Sequence, residues 1–322
     1  MPNVPLSLQA PAAAAVDRLG VGADDDVLVL FNEPQREVAE AIAAACRGRA
    51  RSVRDLVFPT SERPTAEPPP FVSEAMAAAT AVFAATASGI SHTQARLAAT
   101  RRGVRIATLT RITKDVFTGG ALLADYNQLK RSVDALAARL TAASECRITS
   151  PAGTDVRLTL TGRKAVCDAG DLDHDGAFGN LPAGEAYIAP IETTGRGVIV
   201  FDGSLAGHGL LRKPLRITLE EGRIVAADGE AAQWLLAALD SGGSNGRTIA
   251  ELGIGANPRA RLTGTILEDE KAAGTAHLAF GMNASFGGAN VADIHIDGLI
   301  RTPTIELDGR LLLSDGVVES ND

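Results

Sequence analysis

Near its C-terminus the chain reads ADIHID over residues 292–297. On a β-strand the two-residue alternation puts Asp293, His295 and Asp297 on one face and Ile294 and Ile296 on the other, a metal-binding face backed by a core face. Imidazole and carboxylate together are the ligand set of zinc, manganese and cobalt sites that do hydrolytic chemistry. The same region supplies Glu251 in TIAELGIGANP, Glu268 and Glu270 in ILEDEK, and His277 in GTAHLAFGMN, so two of the five histidines fall in this acid-rich stretch.

Each candidate has a plainer reading beside the chemical one. His295 and Asp297, two apart on one strand face, can converge on one ion or on an adjacent pair. Glu251 sits in an apolar strand and is either inward-facing and paired or on a solvent face. His277, taken alone among small apolar residues, reads as a hydrogen-bonded core histidine. Glu185 in GNLPAGEAYIAP reads alone as a solvated loop acid, and Glu268, Asp269 and Glu270 as a solvated turn. DAGDLDHDGAFGN, residues 168–180, lacks the spacing and terminal glutamate of an EF-hand and reads as a polar loop. His92 in SGISHTQ reads as a helix cap and His208 as a turn residue. Lys271, Arg259 and Arg261 either meet an anionic substrate group or are surface charges.

The elements that must carry these residues fall into two textures. In the first half, strand signals (DDVLVLF, SVRDLVF, TAVFAAT, GVRIATLT) alternate with helical spacing, including SEAMAAA with Ser73 as its N-cap and a closing helix over 126–144. SERPTAEPPP between them is a Pro-rich loop. This predicts an α/β domain, residues 1–145, with an open, mostly parallel sheet. From there on, short strands end in Asp-Gly and Glu-Gly turns, interrupted by one helix, EAAQWLLAALDS. This predicts a β-rich α+β metal-binding domain over residues 146–322.

Composition sets outer bounds. A net charge of −8 without a basic block argues against a nucleic-acid partner. No apolar run reaches the roughly 20 residues of a membrane span, and the N-terminus lacks the basic start and apolar run of a signal peptide, so a cytoplasmic location is expected. Cys46, Cys146 and Cys167, odd in number and widely spaced, read as reduced thiols.

In order, these blocks resemble the aminopeptidase T family, two-metal leucyl aminopeptidases that include aminopeptidase S. The resemblance runs from GNLPAGEAYIAP to the end of the chain. It places metal ligands on Glu185, Glu251, Glu270, His277, and the final His-x-Asp, His295 and Asp297. It implies two divalent ions (Zn, Mn or Co) activating a bridging water to hydrolyse an amide or short peptide. Glu185 or Glu251 would double as proton carrier. It also implies a homodimer or larger homo-oligomer.

The match has two departures. The interval from Glu270 to His277 is longer than that family's usual one. Its catalytic tyrosine is missing from MNASFGG, where Asn283 offers a hydrogen bond to an oxyanion but no phenol acidity. The chain also resembles a second branch of the superfamily, the iron-dependent 2,5-dihydroxypyridine ring-cleaving dioxygenases, through GANPRA, the final His-x-Asp, and a histidine matching His92. That branch implies a single Fe(II) ion, with a histidine where this chain has Glu251. Its three glutamates place the chain with the hydrolases on this reading, ahead of the dioxygenase and of a non-catalytic relic.

Overall fold

The computed structural model describes residues 4–61, 67–91 and 93–319; half of the Pro-rich loop, residues 62–66, lies outside them. The chain divides into two compact units. One comprises Met1–Tyr126 with Gly170–Ala183, the other Asn127–Ala169 with Gly184–Asp322.

The first unit is built on a five-stranded, wholly parallel sheet. Its order is Ser52–Val57, Asp26–Phe31, Ala81–Ala85, Arg105–Thr108, Phe178–Asn180. Asp26–Phe31 and Ala81–Ala85 are buried almost throughout, as continuous apolar strands between helical layers should be. Leu28, Leu30, Val82, Ala84 and Ile106 meet Val72 and Met76 of helix Pro70–Ala77 in the core. That helix starts earlier than the sequence suggests. Pro70 takes its first position, where the missing N–H is no loss, so Ser73 lies inside the helix and its N–H donates to Pro69 O at 3.2 Å. The fifth strand is the second surprise, because Phe178–Asn180 comes from the stretch read as a polar loop.

The second unit is antiparallel. One eight-stranded sheet runs from Arg223–Asp228 at one edge to Val317–Val318 at the other. Its strand Leu215–Glu220 alternates buried and less buried positions, as a sheet with one solvated face requires. The other sheet has seven strands, with Ile249–Gly255, Ala276–Gly281 and His295–Ile300 side by side. On the Ile249–Gly255 side they are flanked by the short strand Glu185–Ile188 and then by Val166–Asp168. Ile249–Gly255 and Ala276–Gly281 are buried at every position, so polar side chains on them must find partners inside the protein. The three cysteines are free thiols, and no helix among the described residues is long and apolar enough to cross a membrane.

Candidate metal centre

Strand register assembles the site. Asp297 pairs with Ala279, and Ala279 on its other side with Glu251, which puts Asp297 and Glu251 on one sheet face with only a methyl group between them. His277, two residues from Ala279, shares that face and pairs with Gly253. Any Cβ at Gly253 would overlap the His277 imidazole, so the glycine lets the ring lie flat across its neighbour. Glu185 pairs with Gly255 on one side and Asp168 on the other, extending the row to the next two strands. Gly184, just before Glu185, has φ +131° and would bring a Cβ within 2.6 Å of the Asn257 Cβ; only glycine fits this close turn into the strand.

Two poles result. At the first, the Glu251 carboxylate stands between two imidazoles: Oε1 is 3.2 Å from His277 Nε2 and Oε2 is 3.5 Å from His295 Nε2. Asp297 Oδ1 is 3.3 Å from His295 Nε2. His295 Nδ1 lies 2.7 Å from Met282 O, which assigns a proton to Nδ1 and turns Nε2 toward the carboxylates. Burial works against charging the imidazoles, but the carboxylates outweigh it: Glu185 and Glu251 help raise His277 to about 9, and Asp297 raises His295 to about 10. Burial likewise works against ionising Asp297, yet His295 holds it down at about 2.

At the second pole Lys271, fully buried, extends its Nζ to Glu185 Oε1 at 2.5 Å and Glu270 Oε1 at 2.6 Å, with Asp168 Oδ2 at 3.7 Å. Burial raises Glu185 to about 8 and raises Glu270, against the pull of the ammonium on each. Lys271 is itself held well above its usual range; desolvation opposes this, and the surrounding carboxylates prevail. The poles touch through His277 Nε2, 3.4 Å from Glu185 Oε2.

All six expected ligand positions, Glu185, Glu251, Glu270, His277, His295 and Asp297, therefore meet in one buried cluster. Glu268 and Asp269 do not join it, and neither is a solvated turn residue. Both are fully buried, Glu268 against Arg261 and Asp269 accepting from the Thr263 and Gly264 backbone. Asn283 faces elsewhere: its Nδ2 donates to Glu192 Oε1 at 3.0 Å and its Oδ1 accepts from Asn290 N at 2.8 Å, so it fixes its loop. Glu192 also receives Arg163 Nη2 at 2.6 Å, completing that anchor. His92 lies outside the described residues; the neighbouring helix is capped by Thr93, whose Oγ1 accepts from Arg96 N. Asp168 was not singled out by the sequence, and Lys271, expected to meet an anionic substrate group or to be a surface charge, instead pairs with the protein's own carboxylates. Asp168 sits on a three-residue strand in an otherwise polar stretch, and Lys271 in an acidic run that resembles surface.

The donor chemistry fits a divalent metal. Five carboxyl groups converge on one ammonium and two imidazoles, an acid excess that a cation would balance. Glu251, His277 and Asp297 each offer a ligand atom, all within 4.8 Å of one another, as do Glu185, Glu270 and His277. Glu185 Oε2 and His277 Nδ1 are buried without a hydrogen-bond partner. An exposed trio, Asp171, Asp173 and His174, lies in the other unit and is a solvated polar turn.

With this geometry in view, the comparisons with known proteins decide the family. The sequence profile of the 2,5-dihydroxypyridine 5,6-dioxygenase family matches residues 12–320. The chain belongs to that family. Its fold is shared with the 2,5-dihydroxypyridine dioxygenase of Pseudomonas putida, at TM-score 0.82 and 21% identity over 98% of this chain and 97% of that one. It is shared less closely with AmpT of Thermus thermophilus, at TM-score 0.69 and 17% identity over 98% and 99%. No curated protein sequence matches significantly. The hydrolase expectation, a two-metal aminopeptidase acting on amides or peptides, is thereby overturned: the family match over residues 12–320 is to 2,5-dihydroxypyridine 5,6-dioxygenases, and the likeness to AmpT is one of fold. The residue types misled because imidazole and carboxylate serve both chemistries.

Proposed function

We propose that this protein opens the ring of a hydroxylated pyridine, 2,5-dihydroxypyridine or a close relative, with dioxygen, using one ferrous ion. The family match over residues 12–320 carries this reading. The pole formed by Glu251, His277, His295 and Asp297 supports it, since two imidazoles beside carboxylates are the donor set of non-haem iron oxygenases. Glu251, in place of the histidine expected in that branch, makes the set richer in carboxylate. A ferrous ion held there would supply the one-electron chemistry that lets triplet dioxygen react with a closed-shell ring.

The chain's own residues have distinct parts. Met282 O fixes the His295 ring so that Nε2 faces the pole. The second oxygen of Glu251 ties the two imidazoles to one carboxylate. Phe286 places its ring edge-on to His295, with centroids 5.9 Å apart, and to Tyr187 at 5.4 Å, which builds an aromatic wall beside the pole against which a planar heteroaromatic ring can rest. Burial, with Glu251 nearby, holds the Tyr187 phenol well above its usual range, so it stays a hydrogen-bond donor at neutral pH.

The test is anaerobic loading with ferrous iron, followed by simultaneous recording of oxygen uptake and of the absorbance of 2,5-dihydroxypyridine and its monohydroxy relatives. Oxygen consumed in equal amount to ring lost is the expected result. Absence of uptake with every hydroxypyridine, in protein that has bound iron, would refute the reading.

A further inference from the structure

We infer that the Lys271 ammonium is a built-in cation that fills one half of a two-ion cluster, so that the site accepts a single metal ion, at the Glu251–His277–His295–Asp297 pole. The inference rests on the reading that this cluster binds metal, and it adds which residue sets the number of ions.

The geometry supports it in three ways. First, Glu185, Glu270 and His277 by themselves form a group whose donor atoms lie close enough together to hold an ion. Two of those donors are already occupied by Nζ, at 2.5 Å and 2.6 Å, with the Asp168 carboxylate within ion-pair range at 3.7 Å. An ammonium has three hydrogens and meets three carboxylates. Second, Lys271 is fully buried, so it cannot swing out to water and leave the pole open without dragging its stem through the core. Its backbone is held at both ends: its N–H donates to Glu268 O at 3.0 Å, and its carbonyl accepts from Asn257 N at 2.8 Å. Third, Glu270 and Lys271 are neighbours in sequence yet enter the same pocket, because Glu270 closes the short helix Ile266–Asp269 and the chain turns there. An ammonium and a dication have the same electrostatic task among these acids, and they compete for the same oxygens.

The experiment is a metal count on the full chain with Mn²⁺ as the probe, by elemental analysis after equilibration with excess ion and by electron paramagnetic resonance, which separates isolated from spin-coupled pairs. Wild type should saturate at about one Mn²⁺ per chain with an uncoupled signal, and Lys271→Met, which keeps the stem and removes the charge, should rise to about two with a coupled signal. Lys271→Arg, which keeps the charge, should stay at one. About two ions in wild type, or one in both wild type and a folded Lys271→Met, would overturn the inference while leaving the metal site standing. No ion in wild type would instead remove the metal reading on which it rests. Should Lys271→Met fail to fold, Lys271→Gln, which keeps a hydrogen-bonding head without the charge, is counted in its place against the same two outcomes.

Discussion

The two poles of the buried cluster use the same carboxylate chemistry to different ends. Around Lys271 the chain provides its own cation, locked at hydrogen-bond distance from Glu185 and Glu270. Around Glu251 it provides two imidazoles, whose lone pairs become available once their protons leave. One pole therefore has its cation as folded, and the other, on the reading proposed above, takes one from outside. A donor set rich enough for two ions is not by itself evidence for two, because a side-chain cation can hold one of the places.

Removing ligands at the open pole should have the largest effect. His295→Ala or Asp297→Ala is expected to lower metal affinity and oxygen uptake by more than about 100-fold, measured by metal analysis and oxygen electrode, since even residues that only orient ligands cost about 10–100-fold. Retention of metal by both variants would place the ion elsewhere.

At the closed pole the effect should be on stability. Lys271→Met leaves three buried acids without their ammonium, and in chelator-treated protein it should lose about 3–5 kcal/mol by denaturant titration. Added Mn²⁺ should restore part of that loss, as any ligand of the folded state does. A neutral effect in metal-free protein would show that the ammonium is not paired as described.

The poles should also separate by pH. In metal-free protein His277 and His295 are raised from 6.5 to about 9 and about 10, so their pairing stabilises the fold fully below about 6.5 and is lost as pH rises through those values. The metal-free melting temperature should thus fall across that window, by the equivalent of a few kcal/mol. Metal binding should strengthen over the same window, because the ion displaces those protons. A melting temperature that does not change from pH 6.5 to 10 would mean the imidazoles are neutral throughout.

The smallest expected effect is at the sheet floor. Gly253→Ala puts a methyl group into the His277 ring and should weaken metal binding by about 10-fold with little change at the lysine pole. An unchanged affinity would show that the ring can move aside at no cost.

Much of the fold was legible in the chain. DVLVLF and AVFAA are apolar without alternation, which is how a strand reads when helices cover both faces, whereas LRITLE alternates because one face meets water. The ADIHID alternation likewise placed His295 and Asp297 on one face, since period-2 geometry is local, but Asp293, expected on that face too, is exposed and lies before the strand begins at His295. Asp168 was not legible, because a three-residue strand has too few positions to show a period.

What the sequence determined by itself, then, is the order of elements and the supply of imidazole and carboxylate, because both follow from near neighbours along the chain. Only the tertiary structure decided that Glu251 stands between His277 and His295, and that Lys271 turns inward onto Glu185 and Asp168 instead of outward to solvent. Those outcomes depend on strand register and on packing between distant segments, and the low dielectric of the interior then gives each charge the partner that fixes its role.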